Sequence, residues 1–385
     1  MNAFMPSKVV QRIDAGSQRP RSRPGPGVVS LAVGEPDFDT PAAITEAAIE
    51  ALRSGYTHYI DPAGDPELRE AIAKTVSGIA GEKYGADQVV ITHGGTAAIA
   101  ASIMAIANPG DRIVIPDPNF SLYADAAYMA GAIPVPVPVL ADYHLDLDRL
   151  KKELKGARML VICSPCNPTG AVFTPEELKS VAEMIEGTDT IVISDEAYCE
   201  IIYDGRPFKS MTQFPAIRGQ VLYCQTFSKT FAMTGWRCGY LAGPAEIIKA
   251  IGFVNRTYNG APNAAVCRAA LKATEIGPSL VKPMLAEYIK RRELIVEQAR
   301  TIPGLEVRPP EGTFYLFTRY DADIPASEMT ARLMEGGIAV RSGTEFGPAG
   351  QHAIRFSFAT SEEKIIEGLR RVKAVFEQLA RPAAV

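Results

Sequence analysis

The sequence has 385 residues, of which 47% are hydrophobic and 22% charged, with a formal net charge of −4. This length allows a large core and two domains, and the composition is that of a globular chain. The mildly acidic balance, without a long Lys/Arg run, argues against nucleic acid or an anionic membrane as partner.

No signal peptide and no apolar span of about eighteen residues appears, which predicts a cytoplasmic protein. Residues 1–27 are polar, with Arg19-Pro20-Arg21-Ser22-Arg23-Pro24 at their centre, and read as a frayed or loosely docked arm. A strand is expected over Val28–Val33, followed by a helix over Ala42–Leu52 with Thr40 as N-cap and Pro41 in the first turn. Tyr56 to Gly64 is an aromatic loop, and a helix follows from Pro66 to Ile79.

Strands and helices then alternate. Strands are expected at Gln88–Thr92, Arg112–Pro116, Arg158–Cys163, Thr190–Ser194 and Gln220–Cys224. Helices are expected at Thr96–Ala107, Leu122–Ala130 and Pro175–Glu186, the last opened by a capping box at Thr174-Pro175-Glu176-Glu177. Apolar strands alternating with helices imply an α/β fold with a mostly parallel sheet covered on both faces, whose sites lie beyond the carboxyl ends of the strands. A long polar-faced helix, Ser279–Ala299, leads into a shorter rhythm: strands at Gly304–Arg308, Thr313–Thr318, Ile338–Arg341 and His352–Phe358, and helices at Ser327–Glu335 and Ser361–Leu379. This reads as a small α+β domain. The expected division is an arm at 1–27, a large domain at 45–285, and a small domain made from 28–44 and 286–385.

Six cysteines are scattered through the middle of the chain, and Cys163 and Cys166 spell C-x-x-C. No second pair with metal spacing follows, and none of the four histidines is paired at i, i+4. Buried thiols in a reducing compartment are therefore expected, and no metal site.

The richest stretch is Gln225-Thr226-Phe227-Ser228-Lys229-Thr230-Phe231-Ala232-Met233-Thr234-Gly235-Trp236-Arg237-Cys238-Gly239-Tyr240. Its single lysine is either a solvated loop residue or an amine held for chemistry. Thr226 lies three residues before it and Arg237 eight after, so a hydroxyl and a guanidinium fork can grip an anion beside the amine. His93-Gly94-Gly95-Thr96 joins a strand to a helix, where free N–H groups favour anions, although a Gly-Gly turn alone is more often tight packing. It is neither a Walker A loop nor a dinucleotide fingerprint. Asn119-Phe120, Ser164-Pro165-Cys166-Asn167-Pro168-Thr169-Gly170 and Asp195-Glu196-Ala197-Tyr198 each follow a strand. By themselves they also fit a core aromatic, an ordinary turn and a helix cap. Arg355 sits inside the apolar strand Ala353-Ile354-Arg355-Phe356-Ser357-Phe358, where a charge is rare unless paired or aimed into a cleft.

Taken together, from about residue 30 to 360, these motifs resemble the class I and II aminotransferases of pyridoxal-phosphate fold type I. The resemblance implies a seven-stranded, mostly parallel sheet in the large domain and pyridoxal 5'-phosphate as cofactor. It makes Lys229 the amine that carries the cofactor, with Gly95, Thr96, Thr226 and Arg237 around the phosphate and Phe120 against the ring. Asp195 becomes the partner of the ring nitrogen, and Asn167 and Tyr198 donors to its phenolic oxygen. Gly34 and Asn167 would touch substrate, and Arg355 would hold its α-carboxylate. Tyr59 matches a tyrosine that reaches the neighbouring subunit's phosphate, implying a homodimer with shared active sites. The activity implied is ping-pong transfer of an amino group between an L-amino acid and a 2-oxo acid. Elimination, cyclisation or oxidation of an amino acid on the same scaffold is the alternative, because the cofactor site is common to all. Thr226 stands where serine is commoner, and Cys267-Arg268-Ala269-Ala270-Leu271 departs from the family's usual segment. Arg256, Arg23 and Arg19 are candidates for a second carboxylate on the substrate.

Overall fold

The computed structural model describes residues 5–16 and 25–379. Its strands, in chain order, are β1 (Val29–Ser30), β2 (Val89–Thr92), β3 (Arg112–Asp117), β4 (Ile133–Pro138), β5 (Met159–Cys163), β6 (Ile191–Asp195), β7 (Val221–Thr226), β8 (Gly239–Ala242), β9 (Leu305–Glu306), β10 (Tyr315–Tyr320), β11 (Ile338–Ala339), β12 (Arg341–Ser342) and β13 (Ala353–Ser357). Strands β2 to β8 form one seven-stranded sheet in the order β2-β8-β7-β6-β5-β3-β4. It is parallel except for β8, which runs antiparallel to both neighbours. Every residue of β2, β5, β6 and β7 is buried, as expected of strands covered on both faces.

Two strands of this sheet are absent from the expected set. β4 reads Ile-Pro-Val-Pro-Val-Pro, and its prolines argue against a central strand. It lies at the sheet edge, where it pairs with β3 alone. β8 is four residues that overlap the end of the lysine stretch, with too short an apolar run to stand out. Helices at Leu147–Glu153, Ala245–Asn259 and Ala264–Ile276 were also not expected. The last packs on the helices Ala42–Arg53 and Pro66–Ala80, and the three bury a core with β2. In the expected arm, Lys8–Gly16 is a helix against Leu122–Met129, with the Arg12 guanidinium 3.9 Å from the Tyr128 ring centre. Arg19 and Arg23 lie outside the described residues.

Beyond the large sheet, β12-β13-β10-β9 form a second, antiparallel sheet, and β1 pairs with β11 in parallel. These elements share a core with the helices Lys282–Arg300 and Glu362–Leu379. The expected strand Val28–Val33 is shortened to β1 because only Val29 and Ser30 find a partner strand. The expected strand Ile338–Arg341 divides, β11 pairing with β1 and β12 with β13.

Helix caps follow local chemistry with one correction. Thr174 and Glu177 form the reciprocal capping box. Thr40 is not an N-cap: its hydroxyl donates to the Ala232 carbonyl at 2.7 Å and accepts from Trp236 Nε1, tying this loop to the lysine stretch instead.

Candidate active site

Strands β3, β5, β6 and β7 end side by side, and their carboxyl ends open on a cavity of about 460 Å³. The register sets Asp195 across from Cys163 on one side and Cys224 on the other, at the middle of the sheet. The cavity wall holds Gly34, Gly95, Thr96, Phe120, Asn167, Asp195, Tyr198, Thr226, Lys229, Arg237 and Arg355. Eleven residues from seven separated segments thus meet in one place. Tyr59 does not: it lies outside the cavity wall and is 97% exposed.

Lys229 sits on the short helix Phe227–Thr230 that continues β7. Its Nζ donates to the Gly34 carbonyl at 2.6 Å. Burial lowers its pKa to about 8, helped by the nearby charges of Arg355 and Arg237. The amine is therefore neutral in a useful fraction near physiological pH, which an exposed lysine is not. A Cβ on Gly34 would lie 2.3 Å from the Tyr315 hydroxyl, so only glycine brings this backbone so close.

Asp195 is buried at the end of β6. Desolvation raises its pKa, opposed by the Tyr123 hydroxyl, which donates to Oδ2 at 2.7 Å, and by the Ala197 N–H. The Tyr198 and Tyr315 hydroxyls are 2.9 Å apart. Phe120 lies edge-on to Tyr123, with ring centres 5.9 Å apart.

At the amino end of the helix Gly94–Ile106, no side chain caps the backbone donors. Gly94 has φ +77°, and a Cβ there would meet Arg237 Nη2 at 2.6 Å, so the guanidinium lies directly against the turn. Thr226 Oγ1 donates to the Cys238 carbonyl, accepts from the Ser228 N–H and lies 2.9 Å from Ser228 Oγ. A free helix end, a guanidinium and two hydroxyls make an anion cradle.

Arg355 is buried. Nη1 donates to Asn167 Oδ1 at 2.8 Å and Nη2 to the Ala32 carbonyl at 2.9 Å, while Nε has no partner. The guanidinium stacks on Tyr315, 4.1 Å from the ring centre. Four residues absent from the sequence reading also belong to the wall: Tyr123, Tyr315, Arg341 and Glu345. Nothing in the local pattern separates Tyr315 from its apolar neighbours Phe314 and Phe317. Arg341 could have been found by the argument that singled out Arg355, a charge in an apolar strand. Arg256 is exposed on its helix and is not part of this wall.

A parallel sheet whose strand ends present a buried carboxylate, an amine of lowered pKa and an anion cradle has the architecture of the pyridoxal-phosphate enzymes of fold type I. Residues 26–372 match the family described as aminotransferase class I and II. The aspartate aminotransferase of Pyrococcus horikoshii is 36% identical, with 91% of each chain covered. A probable aspartate/prephenate aminotransferase of Aquifex aeolicus is 36% identical, with 92% of each covered. Among solved structures, the aromatic aminotransferase from Pyrococcus horikoshii superposes with a TM-score of 0.89 at 36% identity, over 96% of this chain and 99% of that one. The chain belongs to the class I and II aminotransferases, and it is an aminotransferase enzyme.

Enzymes of this family work with pyridoxal phosphate, and the wall fits that group. The uncapped helix end and Arg237 suit its phosphate, Phe120 offers a ring face, and Asp195 and Lys229 supply the buried carboxylate and amine.

Proposed function

We propose that this protein transfers an amino group between an L-amino acid and a 2-oxo acid by a ping-pong reaction, with pyridoxal 5'-phosphate held in the cavity at the strand ends. The observation that carries the proposal is Lys229, an amine with a pKa near 8 among Asp195, Tyr198 and Arg355. Gly95, Thr96, Thr226 and Arg237 would hold the phosphate, and Phe120 the ring face. Asp195 would hold the ring nitrogen, and Asn167 and Tyr198 the phenolic oxygen. Bound there, the cofactor supplies an electron sink for the charge left when the substrate α-carbon loses a proton.

The chain's own residues do the rest. Arg355 binds the α-carboxylate with the N–H groups that Asn167 and Ala32 leave over, since those two bonds use two of five donors. Gly34 closes over the substrate with its backbone. Lys229 Nζ takes the α-proton and returns it, a transfer suited to a group whose pKa lies near the working pH.

The division proposed is a large unit at 45–285 carrying the cofactor residues and a small unit at 28–44 and 286–385 carrying Arg355, with 1–27 as an arm. Tyr59 is proposed to serve the site of a second copy in a homodimer; its near-complete exposure outside its own cavity supports this. A cytoplasmic location is proposed on the six free cysteines. Among the described residues no helix is long and apolar enough to cross a membrane.

The test is Lys229→Ala. Turnover should fall by several orders of magnitude while the cofactor is still retained through the phosphate cradle, measured by activity and by cofactor content after dialysis. Substantial residual turnover in the loaded variant would refute the role of Lys229.

A further inference from the structure

Among the described residues, four cationic side chains line the cavity: Lys229, Arg237, Arg341 and Arg355. Three of them donate to uncharged oxygens: Lys229 to Gly34, Arg237 to Thr234, and Arg355 to Asn167 and Ala32. Arg341 differs. Its Nη2 forms an ion pair with Glu345 Oε1, and the Glu345 side chain is 2% exposed. The two lie four residues apart, on β12 and the 3₁₀ turn Gly343–Phe346 that follows it. Arg341 also stands directly across the β12–β13 ladder from Arg355, its Cα partner. Two like charges opposite one another on a ladder repel, and Glu345 offsets that repulsion.

A substrate whose α-carboxylate rests on Arg355 therefore meets a guanidinium one strand away. That guanidinium is already neutralised by a buried carboxylate. A second carboxylate on the substrate would compete with Glu345 for Arg341, and whichever anion lost would sit desolvated without a countercharge. Met334, Val340 and Phe346, which also line the cavity, are apolar and accept an uncharged side chain without that cost.

We propose that the Arg341–Glu345 pair is a specificity element that selects amino acids with neutral side chains over dicarboxylic ones, with Glu345 acting through Arg341. The proposal rests on Arg355 holding the α-carboxylate. It chooses between substrate classes that the names of the relatives, aspartate on one side and aromatic on the other, leave open. Removing the charge of Glu345 frees Arg341 to bind a distal carboxylate, so the penalty against dicarboxylic substrates is lost before any new contact is added.

The experiment compares kcat/KM of the loaded enzyme for L-leucine, L-methionine and L-phenylalanine with that for L-aspartate and L-glutamate. The wild type should favour the best neutral substrate by at least about tenfold. Glu345→Gln, close in shape and uncharged, should shift that ratio toward the dicarboxylates by about tenfold or more, chiefly through KM. A merely structural role for Glu345 would lower all substrates together and leave the ratio alone. Arg341→Gln/Glu345→Gln, neutral at both positions, should return the ratio to within about threefold of wild type, and Glu345→Ala is read in the same way as Glu345→Gln if that variant does not fold. A wild type that prefers dicarboxylates, an unmoved ratio in Glu345→Gln, or a double variant shifted toward dicarboxylates would each overturn the proposal. Failure of the Arg355 reading looks different: Arg355→Lys would then harm only one substrate class.

Discussion

Replacing Arg355 with lysine tests how this wall reads a carboxylate. The guanidinium is placed by Asn167 Oδ1 at 2.8 Å, by the Ala32 carbonyl at 2.9 Å and by stacking on Tyr315 at 4.1 Å. A lysine keeps the charge but presents a point donor in place of a planar fork, so one of two parallel bonds to the carboxylate is lost. A hydrogen bond to a charged group is worth about 1.5–3 kcal/mol. At about 1.4 kcal/mol per tenfold, kcat/KM should fall by about 10- to 150-fold. Asn167 loses its donor as well, so the arrangement that sets the α-carbon over Lys229 loosens, and kcat and KM should both suffer. Steady-state kinetics over a panel of amino acids is the assay, with cofactor absorbance as control. The loss should be common to every substrate accepted, and the absorbance should be unchanged. A loss confined to one side-chain class, or smaller than about threefold throughout, would refute Arg355 as the α-carboxylate anchor.

Two further predictions concern the large sheet. Asp195→Ala removes the buried acceptor of the Tyr123 hydroxyl and the anion at the centre of the strand ends; kcat should drop by more than about tenfold while cofactor affinity falls much less, each pKa unit of lost stabilisation being worth about 1.4 kcal/mol. Values within tenfold of wild type would make Asp195 a structural residue. In cofactor-free protein, Lys229 should react with an amine reagent along a titration centred near pH 8, because burial and the charges of Arg355 and Arg237 favour the neutral amine. Between about pH 8 and its unfolded value near 10.4, the unfolded chain binds a proton that the folded chain does not, so this lysine adds stability as pH rises through that window. Site-resolved mass spectrometry reads the labelling, and a midpoint above about pH 10 would contradict the burial argument.

The sequence made the sheet legible wherever strands were continuously apolar. β2, β5, β6 and β7 are buried on both faces and bounded by turn residues, and the seven-stranded, mostly parallel arrangement followed from the resemblance. It failed at β4, where proline on an edge mimics a loop, and at β8, which lies in the shadow of the lysine stretch. Eleven of the twelve candidate site residues share one wall, because each belongs to a motif whose residue types are unusual for their position. Tyr123, Tyr315 and Glu345 escaped notice for the opposite reason: an aromatic in an apolar strand or early in a helix, and an acid in a turn, are ordinary locally. Their importance comes from what they face across 72, 117 and 4 residues of chain, respectively: Asp195, Tyr198 and Arg341.

The segment from Leu31 to Gly34 shows why such a site depends on more than its charged groups. It has no strand partner after Ser30 except at isolated bonds, yet three of its carbonyls accept hydrogen bonds from segments far away in the chain. The Leu31 carbonyl accepts from the Ser357 N–H at 2.7 Å, Ala32 from Arg355, and Gly34 from Lys229. Ser357 and Arg355 lie on β13 of the small sheet, whereas Lys229 continues β7 of the large one. A stretch of four residues thus spans both sheets and holds the two cations through neutral acceptors. Neutral carbonyls orient an amine or a guanidinium without cancelling its charge, so both groups keep their attraction for an incoming carboxylate. Had acidic side chains held these positions, as Glu345 holds Arg341, the same geometry would have been electrostatically silent toward substrate. The chemistry therefore requires glycine at 34 for close approach, and backbone rather than carboxylate beneath Lys229 and Arg355.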